Sequence, residues 1–582
     1  MPSCRKCGGV FCFCKEDKEI VKKVTSLVMM LLLAFASASY GLSLGSILSP
    51  EESVELKAED ALSQRSGDAV YMALKLEDTG KFLRWLISRE NIDVFMPLIL
   101  GSKQSNEILG GIEVISSFVQ NTPLKSAAMV IGMNREDIAS NDMFFQMAFT
   151  VTPEAAPIVR KVSDGSAEAM DFAQLLLGEG SPLSSMAESM IKAEREGEVY
   201  KLDNELYVKA EGGLVILGTS LKEVQSATTA LKDEKLRLFG ENTRRFSERD
   251  FALIHADFKT LEAIDGDEDF KPSEIFDEPL NVEFAFERLS DKFIIKSGIN
   301  IIESMKKEYA DIVSSSMKEH TPVKGGYIDL TGMGTQTPLA AFGGCIYIGN
   351  LKKVPEVPAV KAVWDFVVKQ LRLRFGISEE EFTGLFTGPL SLAVNDNVTF
   401  EGFKIPGIYV SQTGRKGYAG KVFSKLSKLP HFHKVQDGIL QLDTSISPIS
   451  CFIQDKGEAL GIYLAELSSI TSDAPTLKPA LEALMARPAV SSFWIDFAGI
   501  QSWLLDDENG VMMVLGPIAA FSGHGKEFKA FREVLGAELS VPSISWNAES
   551  AEVSRIEFAI AGIKPENGLI SKLVKLYREF QD

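Results

Sequence analysis

Four cysteines near the start of the chain have a spacing that could bind a metal ion. Cys4, Cys7, Cys12 and Cys14 form the pattern C-x2-C-x4-C-x-C, and four thiolates can hold Zn²⁺ tetrahedrally. The spacing is tighter than that of a zinc ribbon. Two alternatives therefore stay open: a start codon read too far upstream, or a segment discarded together with an export signal.

The other two cysteines are candidates for a disulfide. Cys345 and Cys451 both lie in apolar, strand-like runs. An oxidising compartment would permit a bridge between them, whereas two buried free thiols would behave as small hydrophobic side chains. Spacing in the sequence does not give the distance that a bridge requires, so both interpretations remain open.

The pair His431 and His433 is the second candidate metal site. Side chains at positions i and i+2 of a strand point the same way, so both imidazoles could bind one ion. A third ligand is not evident nearby, and Pro430 and Lys434 flank the pair. This environment favours a surface loop, and the sequence predicts no cofactor.

The chain lacks the common catalytic motifs. It contains no H-E-x-x-H and no G-x-x-x-x-G-K-[ST], which are the signatures of zinc peptidases and phosphate-binding loops. Its G-x-S-x-G match, at residues 41–45, directly follows an apolar run and lacks the strand-and-helix pattern of a serine-hydrolase elbow. The sequence therefore predicts no catalytic residues and favours a protein that is not an enzyme. An enzyme whose site is dispersed over loops is the alternative.

An apolar run near the N-terminus predicts export. Val24–Ala38 follows Lys22 and Lys23 and ends in the small residues Ala36, Ser37 and Ala38, the arrangement of a secretory signal. We therefore expect residues 1–41 to form a Cys-containing extension and a signal peptide, and the protein to be periplasmic or extracellular. An uncleaved Val24–Ala38 would instead anchor the chain in the inner membrane.

Length and charge limit the remaining possibilities. A chain of 582 residues exceeds what one hydrophobic core supports, so several domains are expected. A formal charge of −19 argues against a nucleic-acid partner and disfavours electrostatic docking on anionic lipid. A local basic patch remains compatible with this total, and the partner stays unidentified.

The alternation of apolar and polar residues predicts an α+β fold with antiparallel sheets and with helices packed on one face. Short turns containing Gly, Asp or Asn join the strands, as in hairpins. A strand followed by an Asp and a helix recurs at Asp78, Asp257 and Asp496, where the Asp is expected to cap the helix. The helical stretch Val360–Arg374 places Val363, Phe366, Val367 and Leu371 on one apolar stripe.

The same order of strands and helices occurs twice. Five segments of the first part match five of the second: Ala127–Gly132 with Leu390–Val394, Phe144–Val151 with Ile405–Val410, Pro157–Val162 with Ala419–Leu426, Glu198–Leu202 with Gly438–Leu442, and Tyr207–Gly218 with Cys451–Leu464. We therefore predict a linker at residues 42–66 and two diverged tandem halves, residues 67–335 and 338–582.

Two apolar runs bear on ligand binding. Met143–Met147 and Val511–Leu515 are nearly continuous apolar stretches, which predicts buried strands. The alternative is an apolar groove that holds a lipid or another hydrophobic ligand, since flexible Met side chains suit irregular ligands.

Several of these features together resemble a family. The export signal, the entry strand ending in Asp and the run from Phe375-Gly376-Ile377 to Leu385–Leu390 are similar to those of large uncharacterised bacterial exported proteins with a duplicated strand and helix unit. The resemblance implies an envelope location and carries no activity. The expected function is a non-catalytic binding or structural protein of the bacterial cell envelope, with a carrier of hydrophobic ligands as the alternative.

Overall fold

A computed structural model describes most of the chain after residue 56. The described residues are 57–63, 68–76, 124–134, 144–177, 192–239, 250–259, 272–345, 358–506, 510–562, 567–568 and 572, apart from short gaps at 203–205, 308, 312–313, 315–320, 335, 401–402, 444, 446–448, 471–474, 524 and 551. The chain divides into two compact units, Met1–Ala252 and Leu253–Asp582. Antiparallel sheets and several helices make up these ranges, so the predicted α+β class is confirmed.

The first unit contains one antiparallel sheet. Its strands are β1 (Asp68–Leu76), β2 (Leu124–Asn134), β3 (Phe144–Val151), β4 (Ala193–Glu196), β5 (Val199–Leu202), β6 (Leu206–Glu211) and β7 (Leu214–Gly218). They lie in the order β1-β2-β3-β7-β6-β5-β4. The helices are α1 (Ala156–Asp164), α2 (Ala169–Leu177) and α3 (Leu221–Lys232). A further strand, β8 (Asp250–Ala256), runs across the boundary between the units.

Local sequence signals explain where these helices begin and end. The hydroxyl of Ser220 accepts a hydrogen bond from the N–H of Glu223 at 3.2 Å and caps α3. Helix α1 ends at Gly165, whose φ of 78° is left-handed, a conformation that glycine adopts without steric cost. The core beneath the helices contains Phe149 and Phe172, and the ring of Phe172 meets that of Tyr200 edge-on at 5.0 Å.

A short segment before β1 lies against this sheet. The 3-10 turn Ala58–Ala61 contacts β2, β3 and α3. Just after it, the N–H of Ser63 donates to Oε1 of Gln146 at 3.2 Å, and the Gln146 amide donates to the Glu223 carbonyl at 2.8 Å. Gln146 is fully buried on β3, so its amide fixes residues 57–63 to the sheet.

The second unit contains a longer antiparallel sheet. Its strands are β9 (Leu280–Arg288), β10 (Lys292–Ile299), β12 (Ala340–Cys345), β13 (Pro389–Phe400), β14 (Phe403–Thr413), β15 (Phe432–Gln436), β16 (Ile439–Leu442), β17 (Cys451–Asp455), β18 (Ala459–Leu464), β20 (Ser491–Asp496), β21 (Ser543–Ala548) and β22 (Val553–Ala559). The order is β9-β10-β22-β21-β20-β12-β13-β14-β18-β17-β16-β15. Two short strands, β11 (Val323–Lys324) and β19 (Pro488–Ala489), pair separately.

Helices cover both faces of this second sheet. They are α4 (Ile301–Ser304), α5 (Pro358–Phe375), α6 (Glu379–Leu385), α7 (Tyr418–Leu426), α8 (Pro479–Met485), α9 (Phe497–Leu505), α10 (Gly510–Phe521) and α11 (Gly525–Leu535). Phe452 of β17 packs in a core with α8, whereas the next residue, Ile453, packs with α7. Adjacent strand residues point to opposite faces, so the prediction of helices on one face is wrong for this unit.

A chain segment crosses the face of the sheet that α8 covers. This crossing segment, residues 325–333, begins with Gly325, Gly326 and Tyr327, which have φ values of 74°, 54° and 67°. It passes so close to β12 that a Cβ at Gly343 would lie 2.6 Å from the Gly326 carbonyl oxygen, and closer still to Ile328 N and Tyr327 C. Only a residue without a side chain fits at Gly343 beneath this backbone.

Polar groups hold the crossing segment in place. The Ser391 hydroxyl, buried on β13, accepts from the Asp329 N–H at 2.7 Å and donates to the Asp329 carbonyl at 3.1 Å. The Lys456 ammonium, in the turn between β17 and β18, lies 2.7 Å from the Asp329 carboxylate. Small polar residues on the strands therefore supply the hydrogen bonds that a backbone crossing the sheet requires.

The predicted helix caps are present at two positions. The Asp496 carboxylate accepts from the Gly499 N–H at 2.9 Å and begins α9, and the Asp257 carboxylate accepts from the Lys259 N–H at 3.1 Å. Capping by these two residues is confirmed. Asp78 lies outside the described residues.

Candidate binding surface

One part of the second unit contains basic residues but no acidic ones. Between Glu401 and Asp437 the sequence contains seven Lys and Arg, two His and no Asp or Glu. Most of these residues belong to α7 and its flanking loops, which pack with α5 and α6 on the sheet face opposite α8. We call α5, α6 and α7 the helical layer.

Helices α5 and α6 meet at a turn that the sequence encodes. Gly376, with φ 64°, follows the end of α5, and the N–H groups of Ile377 and Gly376 donate to the carbonyls of Leu371 and Arg372. The bond from the left-handed Gly376 to Arg372 is the αL motif that commonly ends a helix. Ser378 and Glu381 then form a capping box, with bonds of 2.8 and 3.2 Å, which starts α6.

One lysine ties the three helices together. The Lys425 ammonium of α7 lies 2.6 Å from the Glu381 carboxylate and 2.7 Å from the Gly376 carbonyl. Burial acts to raise the pKa of Glu381, but the hydrogen bonds from Lys425 and from the Ser378 N–H together outweigh it and hold that pKa below its ordinary value. The contact brings the C-terminal ends of α5 and α7 side by side.

Aromatic side chains fill the space between the helices. The ring of Phe382 lies 5.6 Å from that of Trp364 and 4.7 Å from that of Phe386. The Trp364 indole N–H donates to Glu379 at 3.0 Å, and the Tyr418 hydroxyl donates to Glu380 at 2.9 Å. Together with the Lys425–Glu381 pair, these bonds engage all three carboxylates of α6 within the layer.

The outer face of α5 combines apolar and basic side chains. Phe366 is 63% exposed and Leu373 is 71% exposed, and they lie on the same side of the helix because seven residues make about two turns. Lys369, Arg372 and Arg374 are exposed around them. The prediction that Phe366 belongs to the buried stripe is therefore wrong. The inward position is taken by Trp364, which lies about 200° away around the helix.

More cations surround α7. Arg415, Lys416, Lys421 and Lys428 are exposed, and the Lys421 ammonium lies 4.7 Å from the centre of the Tyr418 ring. Within the described part of the chain, none of the exposed Lys and Arg of α5 and α7 ion-pairs with a carboxylate. Asp365 is exposed on α5 as well, but the cations outnumber it, so this surface is net positive and attracts anionic groups.

Two other charged clusters serve the fold. The Asp329–Lys456 pair fixes the crossing segment, and Thr331 donates to Asp329 at 2.6 Å. Burial acts to raise the pKa of Asp329, yet the charge of Lys456 and the hydrogen bonds outweigh it and lower that pKa. On β22, Glu557 lies 2.6 Å from both Arg487 and Arg555. In both clusters the charged groups already have partners within the fold.

The predicted His pair lies at the edge of the basic region. His431 and His433 are exposed at the start of β15, and Nε2 of His433 is 3.5 Å from the Asp443 carboxylate. The described residues contain no group of three or more His, Cys, Asp and Glu side chains that could hold a metal ion. The other metal candidates, Cys4, Cys7, Cys12 and Cys14, lie outside the described residues, as does Val24–Ala38.

The two candidate disulfide residues lie on different strands of the second sheet. Cys451 is a half-buried free thiol on β17, and its burial raises its pKa. Cys345 ends β12, four strands away in the order β12-β13-β14-β18-β17. At about 4.8 Å per strand the two backbones lie roughly 19 Å apart across the sheet, whereas a bridge needs Cα atoms within about 7 Å.

One of the two apolar runs is a helix. Met143–Met147 overlaps β3, as predicted, but Val511–Leu515 lies in α10 rather than in a strand. Helix α10 contains no charged residue, yet Ile518 is 56% and Phe521 is 93% exposed. It is a second exposed apolar surface, and it lacks the positive charge of the helical layer.

Comparison of the chain with protein-family models, with curated proteins and with solved structures found no significant match. Among the helices in the described ranges, none combines the length and hydrophobicity needed to span a bilayer. The geometry of the surface is therefore the basis for inferring a function.

Sequence reasoning missed the helical layer, although a signal was present. The total charge of −19 conceals the stretch between Glu401 and Asp437, which has no acidic residue. A count of charge along the chain would have located it. The exposure of Phe366 and Leu373 beside these cations has no comparable signal, because it depends on which side of α5 packs inward.

Proposed function

We propose that this chain is an exported, non-catalytic binding protein of the bacterial cell envelope, built from two related halves, that binds an anionic partner through the helical layer of its second unit. The observation that supports anion binding is the exposed positive charge of that layer in a chain whose total charge is −19. Charge at the surface of a folded domain typically affects solubility and binding rather than the fold.

The strand orders support the two halves. The first unit contains β1-β2-β3-β7-β6-β5-β4 and the second contains β12-β13-β14-β18-β17-β16-β15. Each pair of strands at equal positions in these orders also has the same place in the chain. A helix, α1 or α7, is the first to follow the third strand in both, and the first unit has α2 in addition. A duplicated gene produces such a match in order, direction and connection.

If the two sets of strands are equivalent, the fold itself does not require the basic surface. From the end of β3 to the end of β5, residues 152–202 contain five basic and nine acidic residues. The corresponding residues 414–442, from the end of β14 to the end of β16, contain six basic and one acidic residue. The same supersecondary unit thus occurs with either sign of charge, so the basic version reflects a use specific to the second half.

Retention on immobilised dextran sulfate tests the proposal. A chain of this net charge is expected to pass through such a column unless a local surface binds the polyanion. We expect retention at low salt and elution as NaCl rises, because screening weakens contacts between exposed charges. The triple variant K369Q/R372Q/R374Q is expected to elute at lower salt.

A matched variant controls for net charge. Arg160, Lys222 and Lys235 are exposed residues of the first unit, so R160Q/K222Q/K235Q removes the same charge from residues that do not belong to the helical layer. Equal elution of the two triple variants would contradict a role for the layer. Export is tested separately by cell fractionation and by sequencing the mature N-terminus, where retention of residues 1–41 in a cytoplasmic protein would refute it.

A second candidate function, a carrier of hydrophobic ligands, is favoured by α10. Its uncharged surface with exposed Ile518 and Phe521 could cover or contact an apolar ligand. Native mass spectrometry of the purified chain would detect a co-purifying lipid. A mass equal to that of the polypeptide alone, together with salt-dependent retention on dextran sulfate, would favour the anion-binding proposal.

A further inference from the structure

The outer face of α5 has a composition that distinguishes between classes of anionic partner. Phe366 and Leu373 project on the same side of the helix, about 10 Å apart along its axis, and both are mostly exposed. Lys369 and Arg374 lie about 60–80° to either side of that line at 100° per residue. Two apolar anchors therefore stand between flanking cations.

This arrangement matches the interface of a lipid bilayer. An interfacial helix buries Phe and Leu at the boundary of headgroups and acyl chains, while Lys and Arg reach the phosphates. A soluble polyanion would use the cations but would leave Leu373 in water. An aromatic ring can stack on a nucleobase, but an aliphatic side chain such as Leu373 cannot.

We infer that the helical layer docks on an anionic lipid surface, with Phe366 and Leu373 entering the headgroup region and with Lys369, Arg372 and Arg374 contacting lipid phosphates. This inference rests on the proposed function and names its partner class. The cations near α7 extend the contact, because the Lys425 bond to Gly376 places Lys428 near the end of α5.

The acidity of the whole chain does not prevent this docking. At physiological ionic strength the Debye length is about 8 Å, so carboxylates further than that from the bilayer are largely screened. Helix α5 itself has one acidic residue, the exposed Asp365, against Lys369, Arg372 and Arg374, and the three carboxylates of α6 are engaged by Trp364, Tyr418 and Lys425. The bilayer would therefore encounter mainly the cations of the layer.

Vesicle co-sedimentation of the full chain tests the inference. The probes are vesicles of phosphatidylcholine alone and of phosphatidylcholine mixed with phosphatidylglycerol. We expect binding to the anionic vesicles that weakens with salt. K369Q/R372Q/R374Q should lower the affinity about 100-fold, since each cation near an anionic surface contributes about 1 kcal/mol. R160Q/K222Q/K235Q should bind like the unaltered chain.

A second variant separates the bilayer from a soluble polyanion. F366S/L373S should lower the affinity for anionic vesicles at least tenfold, because the apolar burial is lost, while its retention on dextran sulfate should not change. All variants contain Val24–Ala38, so any lipid binding by that run is common to them and cancels in the comparison. Circular dichroism and melting temperature report whether each variant is folded.

The outcomes distinguish failure of the inference from failure of the proposed function. Retention on dextran sulfate without preference for anionic vesicles would overturn the lipid inference and leave the proposed function standing. A second result would overturn it as well: a single-stranded oligonucleotide displaces the protein from dextran sulfate, and the protein does not bind vesicles. The partner would then be a nucleic acid. Equal vesicle binding by both triple variants would also overturn the inference. If the unaltered chain is not retained on dextran sulfate, both the proposed function and the lipid inference are refuted.

Discussion

Replacing Gly343 by Ala tests the packing of the crossing segment on the second sheet. The added Cβ would lie 2.6 Å from the Gly326 carbonyl oxygen, and closer to Ile328 N and Tyr327 C. These are backbone atoms, so the crossing segment itself must move by about 1 Å to restore ordinary contact. That movement would break the two hydrogen bonds between Ser391 and Asp329, of 2.7 and 3.1 Å.

The expected destabilisation of G343A is about 3–5 kcal/mol. Overpacking of a tight site costs about 1–3 kcal/mol, and two buried hydrogen bonds contribute about 1 kcal/mol each. This sum is a large part of the stability of an ordinary domain. The matched control is G562A, because a Cβ at Gly562 meets nothing within 4 Å and should change stability by less than about 0.5 kcal/mol.

Urea unfolding and hydrogen exchange measure the effect. The transition that includes the second unit should shift to lower urea in G343A and not in G562A. A peptide covering residues 325–333 should exchange its amide hydrogens faster, because the Asp329 N–H loses its acceptor. Equal unfolding midpoints in the two variants, together with unchanged protection of that peptide, would refute the packing argument.

Three further predictions concern named hydrogen bonds and ion pairs. D496A removes the cap of α9 and should cost about 1–2 kcal/mol in urea unfolding, and an unchanged midpoint would exclude a capping role. Q146L leaves the Ser63 N–H without its acceptor and should cost about 1–3 kcal/mol in the first unit, with faster exchange of residues 57–63. The pKa of Glu381 is lower in the folded chain than the value of about 4.3 for an unfolded Glu. The ionised carboxylate therefore stabilises the helical layer above pH ~4.3, and this contribution is lost as the pH falls through the folded pKa. E381Q should therefore be less stable than the unaltered chain at pH 7 and equally stable in acid; a constant difference across pH would argue against the ion pair with Lys425.

Strands and caps could be predicted because they depend on local pattern. Ala127–Gly132 lies within β2 and Leu390–Val394 lies within β13, since alternating or continuous apolar runs bounded by turns define strands. Asp496 was predictable as a cap because a short acidic side chain directly after a strand can accept the free N–H groups of the next helix.

The remaining features depend on tertiary context. Val511–Leu515 is too short and too uniformly apolar for its period to distinguish a helix from a strand. Phe366 was assigned to the buried side of α5 because several rotations of an apolar helix give similar stripes. The actual rotation is set by Trp364, whose ring packs on Phe382 and whose indole N–H reaches Glu379, and neither contact is visible in the spacing of residues.

The small polar residues within apolar strands have a tertiary cause as well. Ser391 and Gly343 are small residues within otherwise apolar strands, and they are directly opposite each other in the pairing of β12 with β13. Such residues weaken a strand when it is considered alone. Their position becomes intelligible only once the crossing segment lies above them, because its backbone needs both close approach and hydrogen-bond partners.

In each unit a segment that precedes a strand, β1 in the first and β12 in the second, lies against the sheet, but the two segments are secured differently. In the first unit a long buried side chain, Gln146, reaches the backbone of Ser63. In the second, the backbone of the crossing segment lies directly against Gly343, so the short side chain of Ser391 reaches the Asp329 N–H. If the proposed duplication holds, the repeat includes this preceding segment, and the second copy then begins upstream of residue 338. Folding thus accounts for the polar residues beneath it, whereas no contact within the described ranges accounts in the same way for the exposed Lys369, Arg372 and Arg374 of the helical layer.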